Sequence, residues 1–263
     1  MNVNRVCSVT ENSHKPITFA SILLAGIARW RQHPFPTEVE LYIKPTDSEL
    51  ALAKKIDPGS SLLVGGFMGV GTPDRLIQAL VTLGIGELTI YCNDTGKPGG
   101  IGIAPLIHAN LVKRVVTSHV GTNPETQQKM IDGELDVVLT PQGTLVECIR
   151  AGGAGLGGVL TRTGLGTIVA DGKQIVEIDG EQWLLEKPIR ADFALLGCHR
   201  ADYQGNLEYT LTATNFNPVM ALAADTVIAE PRAIVPVGVI PPDHVLTPGP
   251  LVDFLVSNPN ARH

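Results

Sequence analysis

Nine residues, Gly65-Gly66-Phe67-Met68-Gly69-Val70-Gly71-Thr72-Pro73, are where residue type and spacing first point to chemistry in this 263-residue chain. An apolar run, Ser61-Leu62-Leu63-Val64, precedes them. Leu76, Ile77, Leu80 and Leu83 follow at helical spacing, with Thr72 read as N-cap and Pro73 as the first helical residue. A glycine turn between the carboxyl end of a strand and a helix is where α/β sheets bind ligands. Glycines let the backbone come close to a ligand, and free N–H groups at the helix start suit an anion or a developing oxyanion. The spacing of Gly66, Gly69 and Gly71 is G-x-x-G-x-G, which is neither the dinucleotide fingerprint nor a Walker loop. A tight turn with no ligand remains the bland alternative.

Other candidates are weaker. Gly153-Ala154-Gly155-Leu156-Gly157-Gly158 satisfies G-x-G-x-x-G but follows a helical stretch where the fingerprint requires a strand, so it reads as a structural loop. His119, at a predicted strand end, could act as a general base, yet no nucleophile motif accompanies it. Cys198 and His199 are neighbours in a predicted strand and so point to opposite faces. Asn93 and Asp94 close a strand as the glycine turn does, which places them beside the same crevice. The four cysteines, Cys7, Cys92, Cys148 and Cys198, lie far apart with no C-x-x-C and no histidine pair at metal-ligand spacing. They read as buried reduced thiols of a cytosolic protein, and no metal site is expected.

The elements that must position these residues alternate. Thr46 and Glu49 form a capping-box pattern opening a helix over 47–55. Strands are predicted at 61–64, 88–92, 115–117, 137–139, 193–198 and 226–229. Helices are predicted from Pro73, from Asn123-Pro124 to Ile131, from Thr144 to Arg150, and at Asn217-Pro218. That alternation predicts an α/β fold, doubly wound around a mostly parallel sheet. Gln174–Ile178 and Glu181–Leu185, joined by Asp179-Gly180, read as an inserted β-hairpin with a type I′ turn.

Composition limits the partners. Lys and Arg total 20 against 26 Asp and Glu, a net charge of −6, with no basic cluster, so nucleic acid is not expected. Aromatic residues are only 5%, while 28 of 263 residues, about 11%, are glycine. The run 17–28, Ile-Thr-Phe-Ala-Ser-Ile-Leu-Leu-Ala-Gly-Ile-Ala, is too short to span a bilayer, which needs about 20 residues, so no membrane partner is expected. Pro34, Pro36 and Pro45 mark a boundary between an extension, 1–45, and a domain, 46–263.

The stretch Gly59 to Pro73 resembles the signature of the CoA-transferase family: Gly59, Leu62-Leu63-Val64, Gly65-Gly66-Phe67, Gly71 and Pro73 all fall in place, while Pro58 replaces the usual Asp or Asn. Ser118-His119-Val120-Gly121-Thr122-Asn123-Pro124, Pro141-Gln142-Gly143-Thr144, Arg150-Ala151-Gly152-Gly153, Arg190-Ala191-Asp192 and Asn215-Phe216-Asn217-Pro218 extend the resemblance over about 46–257, with Arg162 departing from it. The series is similar to the alpha subunits of bacterial short-chain acyl (acetate/acetoacetate) CoA-transferases. That resemblance implies CoA binding by Gly65, Gly66, Phe67, Met68, Gly69, Val70 and Gly71, and coenzyme A as substrate with no permanently bound cofactor. It also implies a beta-subunit partner whose Ser-Glu-Asn-Gly glutamate attacks an acyl-CoA, and a short-chain carboxylate as acceptor. No Ser-Glu-Asn-Gly occurs here, so no catalytic residue is assigned to this chain. A standalone sugar-phosphate isomerase, or a noncatalytic ligand-binding relative, would use the same turn, with Arg75 as the one basic residue near it.

Overall fold

The computed structural model describes residues 43–257. The extension 1–45 therefore lies almost wholly outside the described residues, as do Cys7 and the apolar run 17–28. Ile43 to Pro45 are described: the Lys44 N–H bonds Tyr203 O at 2.8 Å, and Pro45 O accepts from Leu255 N–H at 3.0 Å.

Short apolar segments fix the strands. In chain order, β1 is Thr46–Asp47, β2 Ser61–Val64, β3 Leu88–Asp94, β4 Val112–His119 and β5 Asp136–Leu139. A small insertion carries β6 (Val159–Thr161), β7 (Gln174–Ile178) and β8 (Glu181–Glu186), and the chain returns through β9 (Ala191–Asp202), β10 (Leu207–Glu208), β11 (Ala224–Val235) and β12 (Phe254–Val256). Helices α1 (Glu49–Ala53), α2 (Asp74–Leu83), α3 (Ala104–His108), α4 (Pro124–Ile131), α5 (Gln142–Gly153) and α6 (Asn217–Met220) connect them.

The main sheet has the order β1-β12-β11-β9-β2-β3-β4-β5, with every neighbouring pair parallel, and β10 joins β9 antiparallel. Alternation within β2 shows how it is covered. Leu62 and Val64 belong to a core shared with Leu52, Leu76, Ile77, Leu80 and Leu106 from α1, α2 and α3. Leu63 belongs to a second core with Leu145, Ile149, Phe216 and Met220 from α5 and α6. A parallel sheet must be buried on both faces, so the doubly wound expectation holds.

The hairpin is found with its predicted bounds extended by Glu186, and Asp179 (φ 53°) and Gly180 (φ 78°) both take the positive angles of a type I′ turn. It gains a third strand, β6, from the segment after the G-x-G-x-x-G string. Three expectations need correction. Helix α1 is shorter than 47–55: Ser48 caps it by accepting from Ala51 N–H, while the Thr46 hydroxyl donates to Lys44 O. Helix α2 starts at Asp74, so Pro73 is its N-cap and Thr72 lies outside. Helix α5 runs from Gln142 to Gly153, beyond the expected Thr144 to Arg150 at both ends. Among the described residues no helix is long and apolar enough to cross a membrane.

Candidate functional site

Strand order reverses between β2 and β9. Sequence neighbours run outward from β2 to β5 on one side, and β9, β11 and β12 fill the other. The crevice outside such a switch point is where doubly wound sheets bind ligands, and the 65–72 loop leaves β2 at that point.

The loop is a tight hairpin tied down from three directions. Phe67 and Val70 exchange both backbone bonds at 3.0 Å, with Met68 held left-handed at φ 53°. Asp94, at the end of β3, accepts from Met68 N–H at 2.8 Å and from Gly96 N–H at 2.9 Å, which couples the loop to the next strand's turn. Asn217, fully buried at the start of α6, accepts from Gly66 N–H and donates to Gly71 O and Gly197 O, each at 2.9 Å. Its carboxamide thus pins both ends of the loop against β9. The N–H groups of Gly69, Gly71 and Thr72 have no acceptor among the described residues.

The glycines also have packing reasons. A Cβ on Gly71 (φ +84°) would stand 2.5 Å from Ala213 Cβ, and one on Gly65 2.6 Å from Asn217 Oδ1. Gly69 (φ +88°) differs, because its Cβ would meet only the rotatable Ile101 side chain.

One expectation is overturned here. The helix-start N–H groups are not free: Glu230 of β11 accepts from Arg75 N–H at 3.1 Å and Leu76 N–H at 2.9 Å. The donors left for an anion are therefore those of the loop. Arg75 is equally committed, with its guanidinium 3.5 Å from Glu230 and 3.6 Å from Glu49, and donating to Ser257 O.

A cleft of about 70 Å³ opens beside the loop, lined by Gly69–Thr72, Gly197, His199, Thr210, Glu230 and Arg232. Register in the parallel pair puts Gly197 opposite Glu230, so Gly197, His199, Glu230 and Arg232 share the face that meets the loop. Cys198 has the opposite parity. Burial pushes its thiol far above the ordinary value, as it does for Cys92, and takes Cys148 up to about 11, so none is a thiolate near neutrality. All three are free and buried, as expected.

Asp94 reaches the loop through Met68 N–H, but both it and Asn93 are buried and neither lines the cleft. Asn93 accepts at its side-chain oxygen from Gln142 Nε2 and at its backbone oxygen from the Ser118 hydroxyl at 2.6 Å, which joins the ends of β3, β4 and α5. Sequence reasoning had quoted Gln142 only within a motif; its place after the end of β5 was the available signal. The exposed His119 ring lies over Gly121, whose Cβ would stand 2.8 Å from it, and it makes no hydrogen bond among the described residues. The string 153–158 connects the end of α5 to β6, a helix-to-strand join where the dinucleotide fingerprint requires strand-to-helix, so it is a structural loop. Among the described residues no group of His, Cys, Asp and Glu could hold a metal ion.

The coenzyme A transferase model matches residues 46–258. The chain is 53% identical to the acetate CoA-transferase subunit alpha of Escherichia coli K12 over 78% of this chain and 92% of that one. It is 48% identical to the acetoacetyl-CoA:acetate/butyrate CoA transferase alpha subunit of Clostridium acetobutylicum over 76% and 92%. The acyl-CoA transferase YdiF of Escherichia coli O157:H7, solved as a thioester complex with CoA, superposes with TM-score 0.75 at 25% identity, over 84% of this chain but 48% of that one. The two-sided parallel sheet, the loop at its switch point and these likenesses agree: the chain belongs to the coenzyme A transferase family.

Proposed function

We propose that the chain is the alpha subunit of a hetero-oligomeric, cytoplasmic CoA-transferase that moves CoA between short-chain carboxylic acids such as acetate, acetoacetate and butyrate. Residues Gly65 to Gly71 face the CoA thioester, and a beta subunit supplies the reactive glutamate. The observation that carries this reading is the set of uncommitted Gly69, Gly71 and Thr72 N–H groups at the switch point. They are donors with nothing of the chain's own to bond, of the kind that hold a thioester oxygen as it becomes an oxyanion.

Three further facts support a shared site. Relatives at 53% and 48% identity are named as alpha subunits. The chain contains no Ser-Glu-Asn-Gly. Its cleft, at about 70 Å³, is well below the roughly 300–1,000 Å³ of a ligand pocket, as one wall of a composite site would be. In such a site the partner's carboxylate attacks the acyl carbonyl, forming a mixed anhydride and expelling CoA thiolate, which then attacks the glutamyl carbonyl to form an enzyme thioester and release the first acid as its carboxylate. The second acid reverses both steps, giving ping-pong kinetics. The isomerase reading loses its phosphate clamp, because Arg75 already serves Glu230, Glu49 and Ser257.

The test is to incubate the assembled enzyme with acetoacetyl-CoA and weigh the separated chains. The mass of CoA should be added to the partner and none to this chain. A CoA adduct on this chain would sink the reading.

A further inference from the structure

Glu230 has no role in the chemistry above, yet its placement is unusual. Helix N-termini are ordinarily capped by the side chain of the residue just before them. Here that residue is Pro73, which makes no side-chain bond, and the acceptor comes from 155 residues away in β11. The Glu230 carboxylate, only 10% exposed, takes the N–H groups of both Arg75 and Leu76, the second and third residues of α2. Two consequences follow for the loop that ends at Thr72. The helix start is bolted to β11, so Gly71 and Thr72 are positioned from below by a charged clamp. The strongest competing anion site, the helix terminus itself, is already filled.

Resting on the CoA reading of the loop, we propose that Glu230 is a positioning residue: its ionised carboxylate caps α2 across the sheet and thereby sets the loop N–H groups for the acyl-CoA. The groups facing it are Asp74 and Arg75 on α2, Arg232 on its own strand, His199 on β9, and Glu49 of α1 through Arg75, while the Cys198 thiol, on the other face of β9, is close enough to feel its charge. Burial lifts the Glu230 carboxyl above the ordinary carboxylate value, against the pull of the two N–H groups and Arg75, and Asp74 adds to the rise. Protonation turns one acceptor oxygen into a donor, so the clamp loosens on mild acidification, earlier than an exposed glutamate would allow.

The experiment uses the enzyme assembled with its partner subunit and compares KM for acetoacetyl-CoA in wild type, Glu230→Gln and Glu230→Asp from about pH 8 down to about pH 4.5, the ordinary glutamate value. Titration of the CoA phosphates is common to all and cancels in the ratio of variant to wild type. Glu230→Gln should raise KM about tenfold at the alkaline end, the loss expected for one charge-assisted hydrogen bond. That ratio should shrink toward one as wild type protonates. Glu230→Asp should recover part of the gap. A flat ratio, an unchanged KM with only a lower Tm, or no recovery in Glu230→Asp would each overturn the inference. Gly69→Ala is measured alongside. If it raises KM while Glu230→Gln does not, the positioning role fails and the CoA reading of the loop stands. If neither moves KM, both fail.

Discussion

Gly69 and Gly71 sit two residues apart in one loop, and an added methyl means different things at each. At Gly71 it would press into Ala213 at 2.5 Å and demand a left-handed non-glycine residue, so Gly71→Ala should lower Tm through overpacking of about 1–3 kcal/mol whatever the loop binds. At Gly69 (φ +88°) the same left-handed strain of about 1–2 kcal/mol applies, but the one side chain in the way is Ile101, which is 40% exposed. Gly69→Ala should therefore lower Tm less than Gly71→Ala does, and lose acyl-CoA affinity roughly tenfold, close to the cost of one weakened hydrogen bond. Differential scanning calorimetry with steady-state kinetics separates the two. Glu208 offers a pH test away from the loop. The Arg200 guanidinium beside it, helped by His244 at 3.1 Å, holds its carboxyl at about 2. The folded value lies below the unfolded one, so the pair's contribution is fully present above about pH 5 and fades as pH falls toward 2. Glu208→Gln should lower Tm by about 2–4 °C at neutral pH, the effect of about 1 kcal/mol in a domain of this size, and by almost nothing near pH 2.

Elements were legible in proportion to how local their causes are. Asn123-Pro124 announced α4 at its observed start, and its carboxamide accepts from Thr126 N–H as an N-cap should. Asp179-Gly180 announced the hairpin because Asp-Gly suits a type I′ turn, whose two central residues both take positive φ. Gly180→Val should accordingly cost about 1–2 kcal/mol, visible as an earlier urea midpoint with an unchanged slope. What stayed hidden depends on distant residues. No local pattern shows that α2 would be capped from β11, because Glu230 and Leu76 are 154 positions apart. Pro73 and Thr72 made a plausible helix start, and the remote carboxylate displaced it. Strands β6, β10 and β12 are two or three residues long and take their conformation from neighbours, not from their own periodicity. The site was half legible: the glycines marked the loop at the switch point that is proposed to meet the ligand, while Asn217 as the clamp on both loop ends was recognisable only as part of a family motif.

At the scale of the whole chain, the proposal that a partner supplies the reactive glutamate predicts that the protein alone, with the partner rigorously absent, forms no acetoacetyl-CoA from acetyl-CoA and acetoacetate, and that adding the partner restores the reaction. Removing residues 1–42 should leave assembly with the partner intact by size-exclusion chromatography. A cut at Thr46 would also remove Lys44 and Pro45, and with them two backbone bonds to Tyr203 and Leu255. Those bonds belong to a feature with a temporal consequence. Strand β1 has β12 as its neighbour, with Thr46 opposite Leu255, a separation of about 210 residues along the chain. Translation proceeds at about 5–20 residues per second, so β1 waits roughly 10–40 s on the ribosome before its partner strand exists. Strands β2 to β5 can pair in the order they emerge, but β9 must later dock against the other side of β2, and only then can β11 and β12 close the sheet. Until β9 docks, the nascent protein presents an unpaired β2 edge to every other chain in the cell, which makes the stretch of synthesis between Val64 and Ala191, about half of the chain, its most vulnerable interval.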